Sequence, residues 1–162
     1  METATVAVKP RRDDCLAVLV VAAREVFETM LNTKLIPVFE PAQSVRLDWT
    51  AMVGLAGMLC GVVTFSCDEQ SAIQIASKML GTHLDEADER AGDAVGEICN
   101  MIAGSFKHKI NGLSDHCWLS PPTVVTGTDY RVHRQADSSM EFCRVTFVFE
   151  GTPIFVSLEI RK

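Results

Sequence analysis

Apolar residues recur at nearly every second position in two adjacent segments, 141–149 and 152–160. A period of two is the pattern of strands that bury one face, and it does not suit a helix. Glu150-Gly151 separates the two segments and favours a turn. The sequence therefore predicts an antiparallel β-hairpin, whose apolar face needs a covering layer.

Two long helical segments can supply that layer. One is predicted from Asp13 or Asp14 to about Thr33, because an acidic residue suits both the N-cap and the positive end of the helix dipole. The other is predicted from about Asp85 to Ile110, with acidic residues in its first half and Lys and His in its last turns. That distribution of charge complements the dipole at both ends.

A hairpin, a short helix and three short strands are predicted in the rest of the chain. Residues 44–66 are expected to form the hairpin, which turns near Gly57. Asp68 can cap a helix over 69–80, and Gly81 can end it. The short strands are expected at 115–119, 122–126 and 129–133.

The order of these elements, a long helix followed by strands and a hairpin, occurs twice. The predicted fold class is therefore α+β, an antiparallel sheet covered by long helices with a weak internal repeat. Residues 1–12 are expected to be a flexible tail. Residues 13–162 are expected to be a single domain, since the whole chain of 162 residues is about one domain's worth.

Composition excludes two classes of partner. A formal net charge of −6 argues against nucleic acid, because phosphate contacts need a clustered basic surface. The apolar run from Cys15 to Ala23 is too short for a membrane span, which needs about 20 residues. We therefore expect neither a nucleic acid nor a membrane as a partner.

The six cysteines form no CxxC pair, and the four histidines show no metal-ligand spacing. Several cysteines lie inside apolar runs, among them Cys60 and Cys99, and this is typical of buried, reduced thiols. We expect no metal site. We also expect a cytoplasmic protein, because the cytoplasm keeps thiols reduced.

The second long helix carries an unusual polar stripe. At 100° per residue, Asp93, Glu97, Asn100 and Gly104 share one narrow face, and Gly96 lies beside it. The opposite face is apolar and is expected to meet the core, through Ala94, Val95, Ile98 and Ile102. Asn and Gly are poor helix formers. Two interpretations remain open: the glycines allow close packing within the domain, or a partner approaches the helix backbone beside an exposed amide.

The polar stripe resembles the signature of the CheC/CheX/FliY family of chemotaxis phosphatases, in the form Asp93-x3-Glu97-x2-Asn100. In that family a proline stands about twenty residues downstream, and Pro121 and Pro122 occupy comparable positions here. The resemblance extends over nearly the whole chain beyond residue 12. It favours a single CheX-like domain.

The first long helix can be compared with the second, because the family has an internal two-fold repeat. Aligning Glu25 with Glu97 places Glu28 where Asn100 stands in the second helix. The first helix thus keeps the glutamate and lacks the asparagine, which resembles the one-site arrangement of CheX. We expect one active helix.

The resemblance implies a phosphatase that hydrolyses the aspartyl-phosphate of a CheY-like response regulator. Asn100 would position the attacking water, and Glu97 would pair with a lysine of the regulator. Asp93, Gly96 and Gly104 would contact the partner. The family also implies a homodimer joined through its sheets, no cofactor on this chain, and Mg²⁺ bound in the regulator.

The alternative is a non-catalytic adaptor of the same fold, which binds a response regulator or a flagellar switch protein. The two hypotheses differ at Asn100, because an adaptor has no use for an amide at that position. The sequence favours the phosphatase on this ground.

Overall fold

The computed structural model of the protein describes residues 12–38, 46–110, 114–128, 130 and 138–161. The predicted tail, except for Arg12, lies outside the described residues. The described ranges contain three helices and seven strands. In chain order they are α1 (Arg12–Leu31), β1 (Ile36–Val38), β2 (Trp49–Gly57), β3 (Gly61–Cys67), α2 (Glu69–Leu80), α3 (Glu89–Lys109), β4 (Cys117–Leu119), β5 (Thr123–Thr126), β6 (Met140–Phe149) and β7 (Thr152–Arg161).

These strands form one antiparallel sheet in the order β1-β6-β7-β3-β2-β4, and β5 also pairs with β2. The predicted hairpin of β6 and β7 turns at Glu150 and Gly151, whose φ angles are 48° and 84°. Positive φ angles at both turn residues suit the twist of the two strands. Helices α1 and α3 pack against the sheet, and α2 packs against α3. The predicted α+β class is confirmed.

Local capping residues fix both ends of α2. The Asp68 carboxylate accepts a hydrogen bond from the Ser71 backbone N–H at 2.8 Å. Gly81 ends the helix with a φ of 65°, in the left-handed region that favours glycine. The helix therefore has the bounds that its two capping residues predict.

Helix α3 begins later than its charge pattern predicts. The Asp88 carboxylate accepts a hydrogen bond from the Arg90 backbone N–H at 2.9 Å, so the first helical residue is Glu89. Asp85 precedes the helix, and the predicted start there was wrong. The end of α3 at Lys109 agrees with the prediction.

The core lies between the helices and one face of the sheet. The centroid of the Phe27 ring on α1 lies 6.0 Å from that of Phe65 on β3 and 5.4 Å from that of Phe149 on β6. The predicted apolar face of α3 is buried, through Ala94, Val95, Ile98 and Ile102. Removing these side chains from water stabilises the packing of α3 on the sheet. The opposite side of α3 is left facing outward.

Two features of the sheet differ from the sequence-based expectations, and a third expectation is largely untested. Strand β1 is not predicted, and it contains Pro37, which an edge strand tolerates because one side of its backbone pairs with none of the described strands. Strand β2 begins at Trp49, so the predicted start at residue 44 is too early. The predicted strand at 129–133 lies outside the described residues apart from Tyr130, which is not in a strand.

Candidate active site

The polar stripe runs along the outward side of α3. The Asp93 and Glu97 side chains are exposed, and Asn100 and Gly104 are half-buried. Ile98, on the opposite side of the helix, is fully buried. The rotation of α3 on the sheet is therefore the one that its sequence predicts.

Asn100 and Glu97 keep their polar groups available. Among the described residues, no hydrogen bond uses the Asn100 carboxamide, and no ion pair uses the Glu97 or Asp93 carboxylate. Residues three apart on a helix are neighbours on its surface. A group that approaches this face of α3 can therefore contact the Glu97 carboxylate and the Asn100 amide together.

A second element faces the stripe across a groove. The side chains that face α3 are those of Pro122 and Val124, and we call this pair the proline wall. The groove has a volume of about 600 Å³ and is lined by Glu89, Gly92, Asp93, Gly96, Glu97, Pro122 and Val124. It therefore has carboxylates along the helix side and nonpolar groups along the other.

The two glycines of the predicted site have different surroundings. Gly96 is buried, and a Cβ at that position would lie 3.2 Å from Val124 Cγ2 and 3.6 Å from Pro122 Cβ. A Cβ on Gly104 would have no neighbour within 4 Å. Gly96 therefore admits the proline wall to the side of α3, whereas the backbone at Gly104 is open to an incoming partner. Close packing within the domain, the first interpretation, is what the structure shows at Gly96; approach of a partner, the second, stays a prediction at Gly104.

A hydrogen-bond network at Ser120 holds the chain before the proline wall against β2. The Gly54 N–H donates to Ser120 Oγ at 2.8 Å, and the Ser120 N–H donates to the Gly54 carbonyl at 2.9 Å. Ser120 Oγ donates in turn to the Pro121 carbonyl at 2.9 Å. The two prolines have no N–H, so they cannot continue the ladder between β4 and β5 along β2. The chain leaves the sheet edge here and passes beside α3.

Helix α1 uses its glutamate differently from α3. Glu25, which aligns with Glu97 in the internal repeat, forms an ion pair with Lys109 of α3, with 2.6 Å between Oε2 and Nζ. Glu28, which aligns with Asn100, is exposed. The carboxylate of Glu25 is thus engaged within the domain, while that of Glu97 points to solvent.

Cys99 lies between Glu97 and Asn100 in sequence, but its thiol points into the core. Its Sγ donates to the Ala51 carbonyl at 3.4 Å, and burial raises the pKa of the thiol to about 12. The thiol is therefore protonated at neutral pH and is not a nucleophile. All six cysteines are free and five of them are buried, so the prediction of mostly buried thiols is confirmed; Cys60, although it lies in an apolar run, is exposed.

Within the described ranges, no group of three or more His, Cys, Asp or Glu side chains is placed to hold a metal ion. None of the described helices is long and apolar enough to cross a membrane.

Comparison with known proteins identifies relatives in sequence. A family model described as chemotaxis phosphatase CheX matches residues 49–147, which include α3 and the proline wall. The CheY-P phosphatase CheX of Thermotoga maritima is 34% identical over 82 residues, which cover 50% of this chain and 53% of that protein. The aligned region thus spans about half the length of this relative.

Solved structures share the fold over nearly the whole chain. The chemotaxis protein CheX from Vibrio vulnificus superposes with a TM-score of 0.78 at 23% identity, covering 94% of this chain and 100% of that one. CheX in the crystal structure of a CheX–CheY–BeF3–Mg²⁺ complex from Borrelia burgdorferi superposes with a TM-score of 0.74 at 27% identity. That likeness covers 93% of this chain and 100% of the other.

Proposed function

Because the chain belongs to the CheX family, as its signature predicts, we propose that it hydrolyses the aspartyl-phosphate of a CheY-like response regulator. The observation that carries the proposal is the available carboxamide of Asn100, half-exposed on α3 one turn after the exposed carboxylate of Glu97. Two relatives support the same substrate class. The T. maritima protein is a CheY-P phosphatase, and the B. burgdorferi structure is a complex of CheX with CheY.

In this reaction the main task of the phosphatase is to position the attacking water. An acyl phosphate is already activated, so catalysis consists mainly of holding a water in line with the P–O bond that breaks. The Asn100 amide can orient that water by hydrogen bonding, and because it is neutral it does not repel the phosphoryl oxygens. The water attacks phosphorus, the bond to the aspartate oxygen breaks, and the aspartate leaves as a carboxylate with release of inorganic phosphate.

Glu97 has the chemistry to bind the regulator. Its exposed carboxylate can pair with a lysine beside the phosphorylated aspartate, in a charge-assisted hydrogen bond. Asp93 lies one turn away at the rim of the groove, and the open backbone at Gly104 gives the partner close approach on the other side of Asn100. The proposal places Mg²⁺ in the regulator and requires no cofactor on this chain.

We also propose a homodimer joined through the sheet. Among the described strands, β1 forms one edge of the sheet, and β4 and β5, which both pair with β2, form the other. Both edges carry exposed apolar side chains, since Ile36 is 68% exposed and Trp118 is 64% exposed. Edge strands have unpaired backbone groups that can pair with a second copy of the chain. We place the protein in the cytoplasm, where its proposed substrate acts.

The test is the decay of the aspartyl-phosphate on purified response regulators from the same genome, with and without this protein. The expected result is faster release of inorganic phosphate from at least one of them, in the presence of Mg²⁺. Binding to a regulator with no change in its decay would support the adaptor instead. Decay that is unchanged across the whole panel, with no binding, would contradict both functions.

A further inference from the structure

The proposed reaction does not explain why a glycine lines the groove at position 96. Gly96 is a buried glycine in the middle of α3, where glycine weakens a helix relative to alanine. Its missing side chain lets Val124 and Pro122 pack directly against the helix. We propose that Gly96 is a positioning residue, which sets the distance between the proline wall and α3 and so the width of the groove that receives a loop of the regulator next to its phosphorylated aspartate. This inference rests on the proposed function.

The proline wall is built to keep a fixed position. Val124 lies on β5 and pairs with Ala51 of β2, so the sheet holds its backbone. Pro122 has a restricted φ, and the chain just before it is tied to Gly54 through the Ser120 network. A wall that is ordered before binding loses little conformational freedom when a partner arrives. The position of the wall is thus set by the sheet on one side and by Gly96 on the other.

The wall also has a surface that a partner can reach. Pro122 is exposed and Val124 is half-buried, while Asp93 and Glu97 line the opposite side of the groove. A loop of the regulator that enters the groove meets nonpolar contacts on one side and carboxylates on the other. The width of the groove then decides whether both sets of contacts form together.

A change in width should affect binding more than chemistry. Asn100 lies one turn beyond Gly96 on α3, and it is not among the residues that line the groove. The Gly96→Ala substitution adds a methyl group 3.2 Å from Val124 Cγ2, so the Val124 side chain must give way by a few tenths of an ångström, and we expect the wall to shift outward with it. We expect KM for the phosphorylated regulator to rise about fivefold or more, and kcat to change little.

Thermal unfolding tests whether the rise in KM comes from a displaced wall or from a destabilised protein. Gly104→Ala adds the same methyl group to the same helix in open space, and it should raise Tm by about 2–4 °C. Gly96→Ala should raise Tm by less, because the contact with Val124 offsets part of the gain in helix propensity. A protein that is at least as stable as the wild type and yet binds its substrate more weakly has lost positioning and not folding.

A compensating variant completes the experiment. In Gly96→Ala/Val124→Ala the wall loses the methyl group that the new Cβ contacts, so KM should return toward the wild-type value, while Val124→Ala alone should raise it. Any of three results would overturn the inference. Gly96→Ala could have a wild-type KM, it could have a Tm below that of the wild type, or the double variant could fail to restore KM. Wild-type protein that neither releases phosphate from any regulator nor binds one would instead overturn the proposed function, and the inference with it.

Discussion

The Glu25 carboxylate on α1 lies 2.6 Å from the Lys109 ammonium at the end of α3. Glu25 aligns with Glu97 in the internal repeat; both glutamates are exposed, but Glu25 forms an ion pair with Lys109, whereas Glu97 forms none with the described residues. The pair joins the two long helices. We infer that α1 uses its glutamate for packing and that α3 uses the equivalent one for recognition.

The Glu25→Gln substitution should therefore affect stability slightly and turnover not at all. The two side chains are 53% and 30% exposed, so the pair contributes about 0.2–1 kcal/mol to the free energy of unfolding. Urea denaturation at low and high salt measures the loss, which should shrink as salt increases. Lys109→Gln should give a similar loss. Loss of phosphatase activity in Glu25→Gln would reveal a second active helix and contradict the one-site prediction.

Asn100→Ala should remove most of the turnover and leave the fold intact. The side chain is half-buried and makes no hydrogen bond within the described residues, and alanine is the better helix former. Loss of one positioned group of this kind typically costs on the order of 10²–10³ in rate. Phosphate release from a phosphorylated regulator measures the rate, and circular dichroism checks the fold.

Two further variants make the Asn100 experiment specific. Asn100→Asp keeps the shape of the side chain but adds a negative charge next to the phosphoryl group, so it should be impaired as well. Glu28→Ala removes an exposed side chain from the equivalent position of α1 and should retain wild-type turnover. Wild-type turnover in Asn100→Ala would mean that another group holds the water.

Glu97→Gln should lower the affinity for the regulator. It should also make that affinity less sensitive to salt concentration. A hydrogen bond to a charged group contributes about 2 kcal/mol, so Kd should rise roughly 30-fold. Binding of the regulator in the presence of BeF3 and Mg²⁺, measured by fluorescence anisotropy at two salt concentrations, gives both quantities. Glu86→Gln is the matched control, because it removes the same charge from an exposed residue just before α3. Equal salt dependence in Glu97→Gln and wild type would rule out an ion pair at Glu97.

Alkaline pH should destabilise the protein through its buried thiols. Burial raises the pKa of Cys99 to about 12 from an ordinary value of 9.0, and it raises the pKa of Cys67 as well. Protonated thiols are favoured in the folded protein, so their contribution is complete below pH 9 and is lost as pH rises from 9 toward 12. The free energy of unfolding should fall there, more steeply for two buried thiols than for one.

Urea denaturation between neutral pH and about pH 10.5 tests this dependence on protonation. Cys99→Ala should be less stable than the wild type at neutral pH, because it leaves a cavity in the core. Its stability should nevertheless decline less steeply above pH 9, since one of the buried thiols is gone. Parallel curves for the two proteins would show that Cys99 does not contribute to the alkaline transition.

The proposed homodimer predicts a mass in light scattering of twice 17.8 kDa at micromolar concentration. Ile36→Asp and Trp118→Asp place a charge on opposite edges of the sheet, and the variant that disrupts the interface should give the monomer mass. Both side chains are exposed, so neither substitution should disturb the core. A monomer mass for the wild type would contradict the proposal.

Sequence patterns correctly predicted the helices and strands whose ends are determined by residues next to them in sequence. The α2 helix has its predicted bounds because Asp68 and Gly81 act on adjacent backbone groups, and the last hairpin follows its own alternation. Strand β1 was missed because it owes its structure to pairing with β6, while Pro37 by itself indicates a break.

The candidate site was predicted in part for the same reason. A helix places Glu97 and Asn100 on one face by geometry alone, so their shared position on the outward side of α3 could be predicted. The position of Val124 beside Gly96 depends on how β5 pairs with β2, and no local pattern contains that information. The sequence therefore left two interpretations of the glycines open; the tertiary structure supports close packing at Gly96, and approach of a partner at Gly104 stays a prediction.

The pairing of β3 with β7 has a consequence for how the chain folds. This pair joins Gly61 to Ile160, so the middle of the sheet depends on residues that are far apart in sequence. Helices and hairpins can form early from local contacts, but the sheet becomes continuous only when β7 docks beside β3. Until then the edges of β3 and β7 that pair with each other are exposed. Slow docking at this step would leave those edges free to pair between molecules, so the refolding yield should fall as protein concentration rises.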